Sequence, residues 1–413
     1  MAVDLSIYKN AFCWGKTLLN REKLKVRFLL FFHLPIAIAL LLFSNTIALA
    51  NPPGIYITLF QSRPRIDTLY LRGPFVVSNP IHAVFHEGLF ECVSDGGVIR
   101  FTQIIGRKRK PILRAPHLVI SDRTRSTIEI GPDLEHMRKY YGQMTISRRS
   151  AGPRDRQGGG LNVVNLIDSF NYVASVVGGE TTADFGKEAL KAQAVLVYTR
   201  LSPKGRHPAL NDTTDEMVYL GAQHERADVI DAVIEVDRRR LMFNNRPAQA
   251  FFHACCAGRT SKGSDIFGDN AKALVYLQSV PCNFCKASPL YAPTTKQIPA
   301  ALFNREIAEG EPNVVKVDQA KRIVAADIRK GGKTETVSGY QLWLRLGQRL
   351  GWDKVPGTRY QIKKTGSAYI IKSSGGGHGV GLCQWGAQGL AKQNKTYTEI
   401  LQYYFPGATV EQR

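Results

Sequence analysis

The sequence predicts an α+β fold, a strand-rich N-terminal region followed by a mixed α/β core, on three observations. From Gly54 to about Ile146, short runs of β-branched and aromatic residues alternate with turn and charge clusters, the pattern of strands. Residues 150–160 (Ser-Ala-Gly-Pro-Arg-Asp-Arg-Gln-Gly-Gly-Gly) are polar and turn-forming, and read as a hairpin-like loop or a domain joint. Beyond them, Lys187-Glu-Ala-Leu-Lys-Ala-Gln-Ala-Val195 is built from strong helix formers. The composition, 44% hydrophobic and 22% charged over 413 residues, excludes a disordered or collagen-like chain. Seven cysteines in a chain this long exclude a small disulfide-stapled scaffold.

The N-terminus comes first. Lys9, Lys16, Arg21, Lys23, Lys25 and Arg27 precede an apolar stretch from Phe28 to Phe43, which ends before Ala48-Leu49-Ala50. A basic segment, an apolar core and an A-x-A site form the pattern of a secretory leader. The alternative is an uncleaved anchor, but this 16-residue stretch, interrupted by His33 and Pro35, falls short of the roughly 20 that span a bilayer. Either way residues 1–50 predict an exported chain, in the periplasm or cell envelope, with membrane contact only through an uncleaved leader. The formal charge is +21, and loss of the leader's six basic and two acidic residues leaves +17. Such a balance favours a polyanionic partner. Outside the cytoplasm this is cell wall or membrane surface, not nucleic acid.

Residues 51–150 form the strand-rich region, with Arg107-Lys-Arg-Lys110 between two strand-like runs. Residues 151–413 form the second unit. Its best helix is expected from about Asp184 to Leu201, capped by Thr181 or Thr182 and ended by Pro203 and Gly205. Strand-rich stretches are expected over 238–254 and 314–372, with a helix near Tyr340–Leu350.

Three segments carry candidate chemistry. Glu180 follows an apolar run and Gly178-Gly179; desolvation there would raise its pKa and suit a general acid, while a helix N-terminus would oppose this. Alternatively Glu180 is only a charge partner of that helix. Five glycines flank His378 in Gly375-Gly-Gly-His-Gly-Val-Gly381, ahead of Leu382-Cys383-Gln384-Trp385. This reads as a turn that admits a ligand or as a satisfied buried histidine, with a Cys383–His378 nucleophile as a third reading. Finally, His253, Cys255 and Cys256 precede Cys282-x-x-Cys285. Cys256, Cys282 and Cys285 with His253 or Cys255 suit tetrahedral zinc in a structural role. In an oxidising compartment disulfides are equally open.

Together these segments resemble the stage II sporulation protein D family (the SpoIID/LytB domain). Leu161-Asn-Val-Val-Asn165, the 187–194 helix, Asp212-Thr-Thr-Asp with Val218-Tyr219, and Gly377-His-Gly-Val-Gly-Leu-Cys-Gln-Trp-Gly-Ala387 occur in the family's order. The resemblance implies a lytic transglycosylase acting on peptide-stripped peptidoglycan glycan strands, with Glu180 as acid/base and Glu188 as second choice. It places His378, Gln384, Tyr219, His207 and Gln193 as candidates for holding the sugar. It also implies the alternative of a non-catalytic, wall-binding enhancer of an amidase. The cysteine-held zinc of some relatives does not carry over, because the segment from His207 to Tyr219 has no cysteine. Cys256 and Cys282-x-x-Cys285 resemble the set of a subset of the family.

Overall fold

A computed structural model describes residues 54–122, 126–149, 159–201, 210–213 and 217–412. The expected leader at 1–50, candidate His207, and the helix stop at Pro203 and Gly205 lie outside the described residues. Strands and helices segregate as an α+β fold. Among the described residues no helix is long and apolar enough to cross a membrane.

Two sheets build the N-terminal part. One runs Leu210–Asn211, Ile55–Thr58, Leu161–Ile167, Gln143–Arg148, His117–Ser121, Phe75–Asn79 and Ala83–Phe85. The second holds six strands between Thr68 and Tyr140. Their inner faces meet through aromatic rings: Phe75 lies 5.1 Å from Phe90, and Phe90 stacks on Phe101 at 5.6 Å. The first sheet crosses the position where the sequence suggests a domain joint. Gln143–Arg148 pairs antiparallel with Leu161–Leu166, and Ile55–Thr58 pairs with the other edge of the same strand. The strands on either side of residues 150–160 therefore belong to one sheet.

The helices among the described residues are α1 (Ser169–Glu180), α2 (Lys187–Arg200), α3 (Ala227–Val236), α4 (Gly263–Phe267), α5 (Ala300–Glu306), α6 (Gly339–Leu350), α7 (Gln384–Ala391) and α8 (Tyr397–Tyr404). The α2 helix forms as the composition predicts but starts three residues late, and neither threonine caps it. Its N-cap is Gly186, whose N–H donates to Gln388 Oε1 of α7 at 2.6 Å. Thr181 instead closes α1, its hydroxyl donating to Val177 O. Asp168 caps α1 by accepting from Asn171 N. A carboxylate so placed also favours the positive end of the helix. The α6 helix carries a Ser338/Gln341 capping box, which fixes its start where sequence puts it.

The α1 helix packs against α2, α3 and the turn at Gly221. Ser175 Oγ donates to Gly221 O, and Gly221 holds φ +68° with its backbone pressed against the strand Arg138–Tyr140. A Cβ there would lie 2.1 Å from Lys139 O. Gly221→Ala is therefore expected to cost at least about 2 kcal/mol, from left-handed backbone strain plus overpacking. Urea unfolding of the two proteins checks this.

Candidate active site and a cysteine cluster

Glu180 is the last residue of α1, not a neighbour of the α2 N-terminus. The carbonyl end of α1 disfavours an anion, so the dipole adds to the effect of burial instead of opposing it. The side chain is 7% exposed, and its Oε1 accepts from Val218 N at 2.9 Å. Burial pushes its pKa up to about 7, against the opposing pull of the Val218 amide, Arg200 and Gln384. A carboxyl in this condition is protonated around neutrality and remains able to ionise.

It lines a cleft of about 790 Å³. Gly178, Gly179 and Glu180 form one wall, and Gln384 and Trp385 from α7 another. The turn after Ile55–Thr58 contributes Ser62, the second sheet contributes Arg138, and the segment after α2 contributes Asp212 and Arg226. The Gln384 amide donates to Glu180 O at 3.2 Å and ties α7 to the end of α1. Trp385 lines the cleft and meets the Phe185 ring edge-on at 5.4 Å. The polar groups that sequence reasoning missed are Arg138 and Arg226. Arg138 stands 3.9 Å from Asp212, and Arg226 donates to Asp228 and to Thr182 O. No local motif marks them, because the fold alone brings them to the cleft that Glu180 lines.

The other expected sugar contacts sit elsewhere. Tyr219 is buried, stacked on Tyr172 at 5.4 Å, and donates to Asn165 Oδ1. Gln193 is buried inside α2, with no hydrogen-bond partner for its amide among the described residues. His378 is buried among Phe251, Phe267 and His253 rather than on the cleft, and its Nδ1 accepts from Val380 N. Burial takes its pKa down to about 3, so the ring is neutral. Its glycines serve close packing: a Cβ at Gly379 would meet the Arg322 guanidinium at 2.6 Å, and one at Gly381 would meet Phe251 O at 2.2 Å. Glu188 is also structural in its contacts. It accepts from Lys191 Nζ at 2.7 Å and from Tyr397 N at 2.6 Å, capping α8.

Four buried cysteines converge at the start of α7, whose N-cap is Cys383. The sulfurs of Cys256, Cys282, Cys285 and Cys383 all lie within 4.8 Å of one another, an arrangement that could hold a metal. The expected fourth ligand, His253 or Cys255, is not in this group; Cys383 takes that place. His253 turns to Val380 O instead. The reason is the parallel pairing of Phe252–His253 with Leu382–Cys383, which brings the Gly-rich turn beside the cysteine segment. None of the described cysteines is joined in a disulfide.

Fold and cleft thus define an α+β protein whose groove is lined by the buried Glu180 carboxyl together with Asp212 and Glu225, each with its pKa raised by desolvation. The sequence pattern of the family described as stage II sporulation protein matches residues 157–243. An uncharacterized protein of Brachyspira hyodysenteriae is 30% identical over 260 residues, covering 60% of this chain and 68% of its own. Stage II sporulation protein D of Bacillus subtilis is 29% identical over 275 residues, 60% and 76% of the two chains. The Amidase enhancer of the same organism is 23% identical over 280 residues, 57% of this chain but 39% of its own. The chain belongs to the SpoIID family.

Proposed function

We propose that this chain is an exported lytic transglycosylase that cuts peptide-stripped peptidoglycan strands. SpoIID membership supports a cell-wall role, and the observation that carries the chemistry is the desolvated Glu180 carboxyl lining a cleft large enough for sugar residues. The substrate bond is the β-1,4 link that follows N-acetylmuramic acid. Protonated Glu180 donates to the glycosidic oxygen as the C–O bond breaks and positive charge develops at the anomeric carbon. The Glu180 carboxylate then takes the proton of the sugar's own C6 hydroxyl, whose oxygen closes a 1,6-anhydro ring. The proton count balances and Glu180 returns to its starting state. No second carboxylate or positioned water is required, because the nucleophile is held by the substrate. Gln384 orients the end of α1, and Trp385 offers a stacking face. Arg138 and Arg226 favour the lactyl carboxylates exposed when peptides are removed.

The metal in this reading is a structural zinc ion at the four cysteines; no step is routed through it. Incubation of the purified protein with peptide-free glycan strands tests the proposal. Fragments ending in anhydro-muramic acid, one water lighter than hydrolytic products, are the expected result.

Because the acid must be protonated, cleavage is expected to be full below pH 7 and to fall as pH rises through about 7. A pH profile of kcat/KM checks the sign. The similarity to a protein named Amidase enhancer favours a second reading, in which the chain binds wall glycan and raises an amidase's activity. In that case glycan binds with no anhydro product, and a cell-wall amidase is the partner.

A further inference from the structure

We propose that Cys256, Cys282, Cys285 and Cys383 bind one zinc ion, and that this ion positions the cleft by fixing the start of α7. The inference rests on the structural-zinc reading at these four cysteines and adds the ion's purpose, the positioning of the cleft.

The geometry argues for a single ion. Four thiolates at about 2.3 Å from a tetrahedral zinc have sulfur–sulfur edges of about 3.8 Å. Cys256 and Cys285 sulfurs are 3.6 Å apart, and all four lie within 4.8 Å. That spacing is too tight for a multi-iron cluster. The ligands come from three distant segments, with the Cys282-x-x-Cys285 pair on one short turn.

Hydrogen-bond partners surround the sulfurs. The N–H groups of Cys256 and Gly386 both point at Cys383 Sγ, each at 3.3 Å. Tyr404 Oη lies 3.1 Å from Cys282 Sγ. Such outer hydrogen bonds orient ligands and hold charge on them. Four thiolates with Zn²⁺ sum to −2. The fully buried Arg322 guanidinium, which donates to Cys256 O at 2.8 Å, supplies an offsetting charge. Gly386 is required beside the group, because a Cβ there would lie 2.6 Å from Cys282 Sγ and 2.0 Å from Tyr404 Oη.

Cys383 links this centre to the cleft. It is the N-cap of α7, and the next two residues are Gln384, which bonds Glu180 O, and Trp385, which lines the groove. A ligand bond at Cys383 therefore anchors both side chains one and two residues away. Cys383 is a positioning residue, since it does not touch the cleft itself.

The test begins with the full chain as purified. Elemental analysis should give one zinc per chain, and cobalt exchange should give the intense visible and thiolate charge-transfer bands of a tetrahedral four-sulfur site. Cys255→Ser should keep the metal, whereas Cys383→Ser should lose it or bind it at least about tenfold more weakly. The cleft is then read in Glu180→Gln, which does not turn over. Stripping its zinc, at a temperature where circular dichroism is unchanged, should weaken peptide-free glycan binding by about tenfold or more. In the active protein the pH at which cleavage falls off should shift with zinc removal. Paired disulfides by mass, iron in place of zinc, or zinc retained by Cys383→Ser would overturn the ligand assignment without touching the transglycosylase reading. Zinc present but glycan binding and pH profile indifferent to its removal would overturn the positioning role. Zinc bound with binding coupled to it, but no anhydro product from the wild type, would refute the lytic chemistry alone.

Discussion

Replacing Glu180 by glutamine is expected to lower the release of anhydro-ended glycan by about 10²–10⁴-fold, the range for removal of a positioned acid/base. The amide is nearly isosteric and can still accept from Val218 N through its oxygen, so the fold should be retained. It cannot cycle a proton. The same change should stabilise the protein at alkaline pH. The carboxyl's folded pKa, about 7, lies above its ordinary 4.5. Below pH 4.5 it is protonated folded or unfolded, and its burial carries no charge penalty. As pH rises toward and past 7 the unfolded state gains by ionising first, and the wild type loses about 3 kcal/mol relative to the variant. Chemical denaturation of both proteins at pH 4.5 and pH 8 measures this difference. Equal stability gaps at the two pH values would show that the carboxyl is not desolvated. Full glycan cleavage by the variant would remove Glu180 from the mechanism. A variant that is inactive yet more stable at pH 8 would show that the site keeps a carboxyl at a cost to folding.

The second large effect belongs to Arg322. Its guanidinium is fully buried and donates to Cys256 O, Arg259 O, Ser261 Oγ and Thr358 Oγ1. Asp318 completes the group, accepting from Arg322 N and from the Ser261 hydroxyl. One side chain thus joins the cysteine segment, the strand Ile323–Lys330 and the Gly-rich turn through Thr358, whose hydroxyl donates to His378 O. Arg322→Ala leaves buried acceptors without donors and opens a cavity against Gly379. A loss of about 3–5 kcal/mol is expected, with Tm lower by on the order of 10 °C. Arg322→Lys should recover little, because a single ammonium cannot reproduce a planar fork spread over four acceptors. Differential scanning calorimetry of both variants checks the order. If lysine restored wild-type Tm, the charge rather than the fork geometry would be the stabilising element.

Much of the secondary structure was legible in local sequence. The α2 helix follows from its run of helix formers, and α6 forms where a helix near Tyr340–Leu350 is expected. The N-terminal strands follow from alternation. Glu180 was legible as a candidate, since an apolar run and two glycines already announce a desolvated carboxyl. Its dipole environment was not. Whether a residue between two helical stretches ends one or begins the other depends on caps, and here Gly186 caps α2 while Thr181 closes α1. The Gly-rich turn was read for ligand access, but its glycines admit neighbouring backbone and Arg322, and His378 goes into the core.

The chain's local order alone determined where helices and strands would form, that Glu180 was a candidate for a shielded acid, and which cysteines stood close in sequence. Only the tertiary structure decided that Cys383 completes the four-sulfur group in place of His253, and that Arg138 and Arg226 line the same cleft as Glu180. It alone joined strands from residues 51–150 and from beyond residue 160 in one sheet. The physical reason is range: propensity and desolvation by neighbouring residues act over a few positions. Strand pairing, as between Phe252–His253 and Leu382–Cys383, joins segments more than a hundred residues apart and leaves no trace in either one.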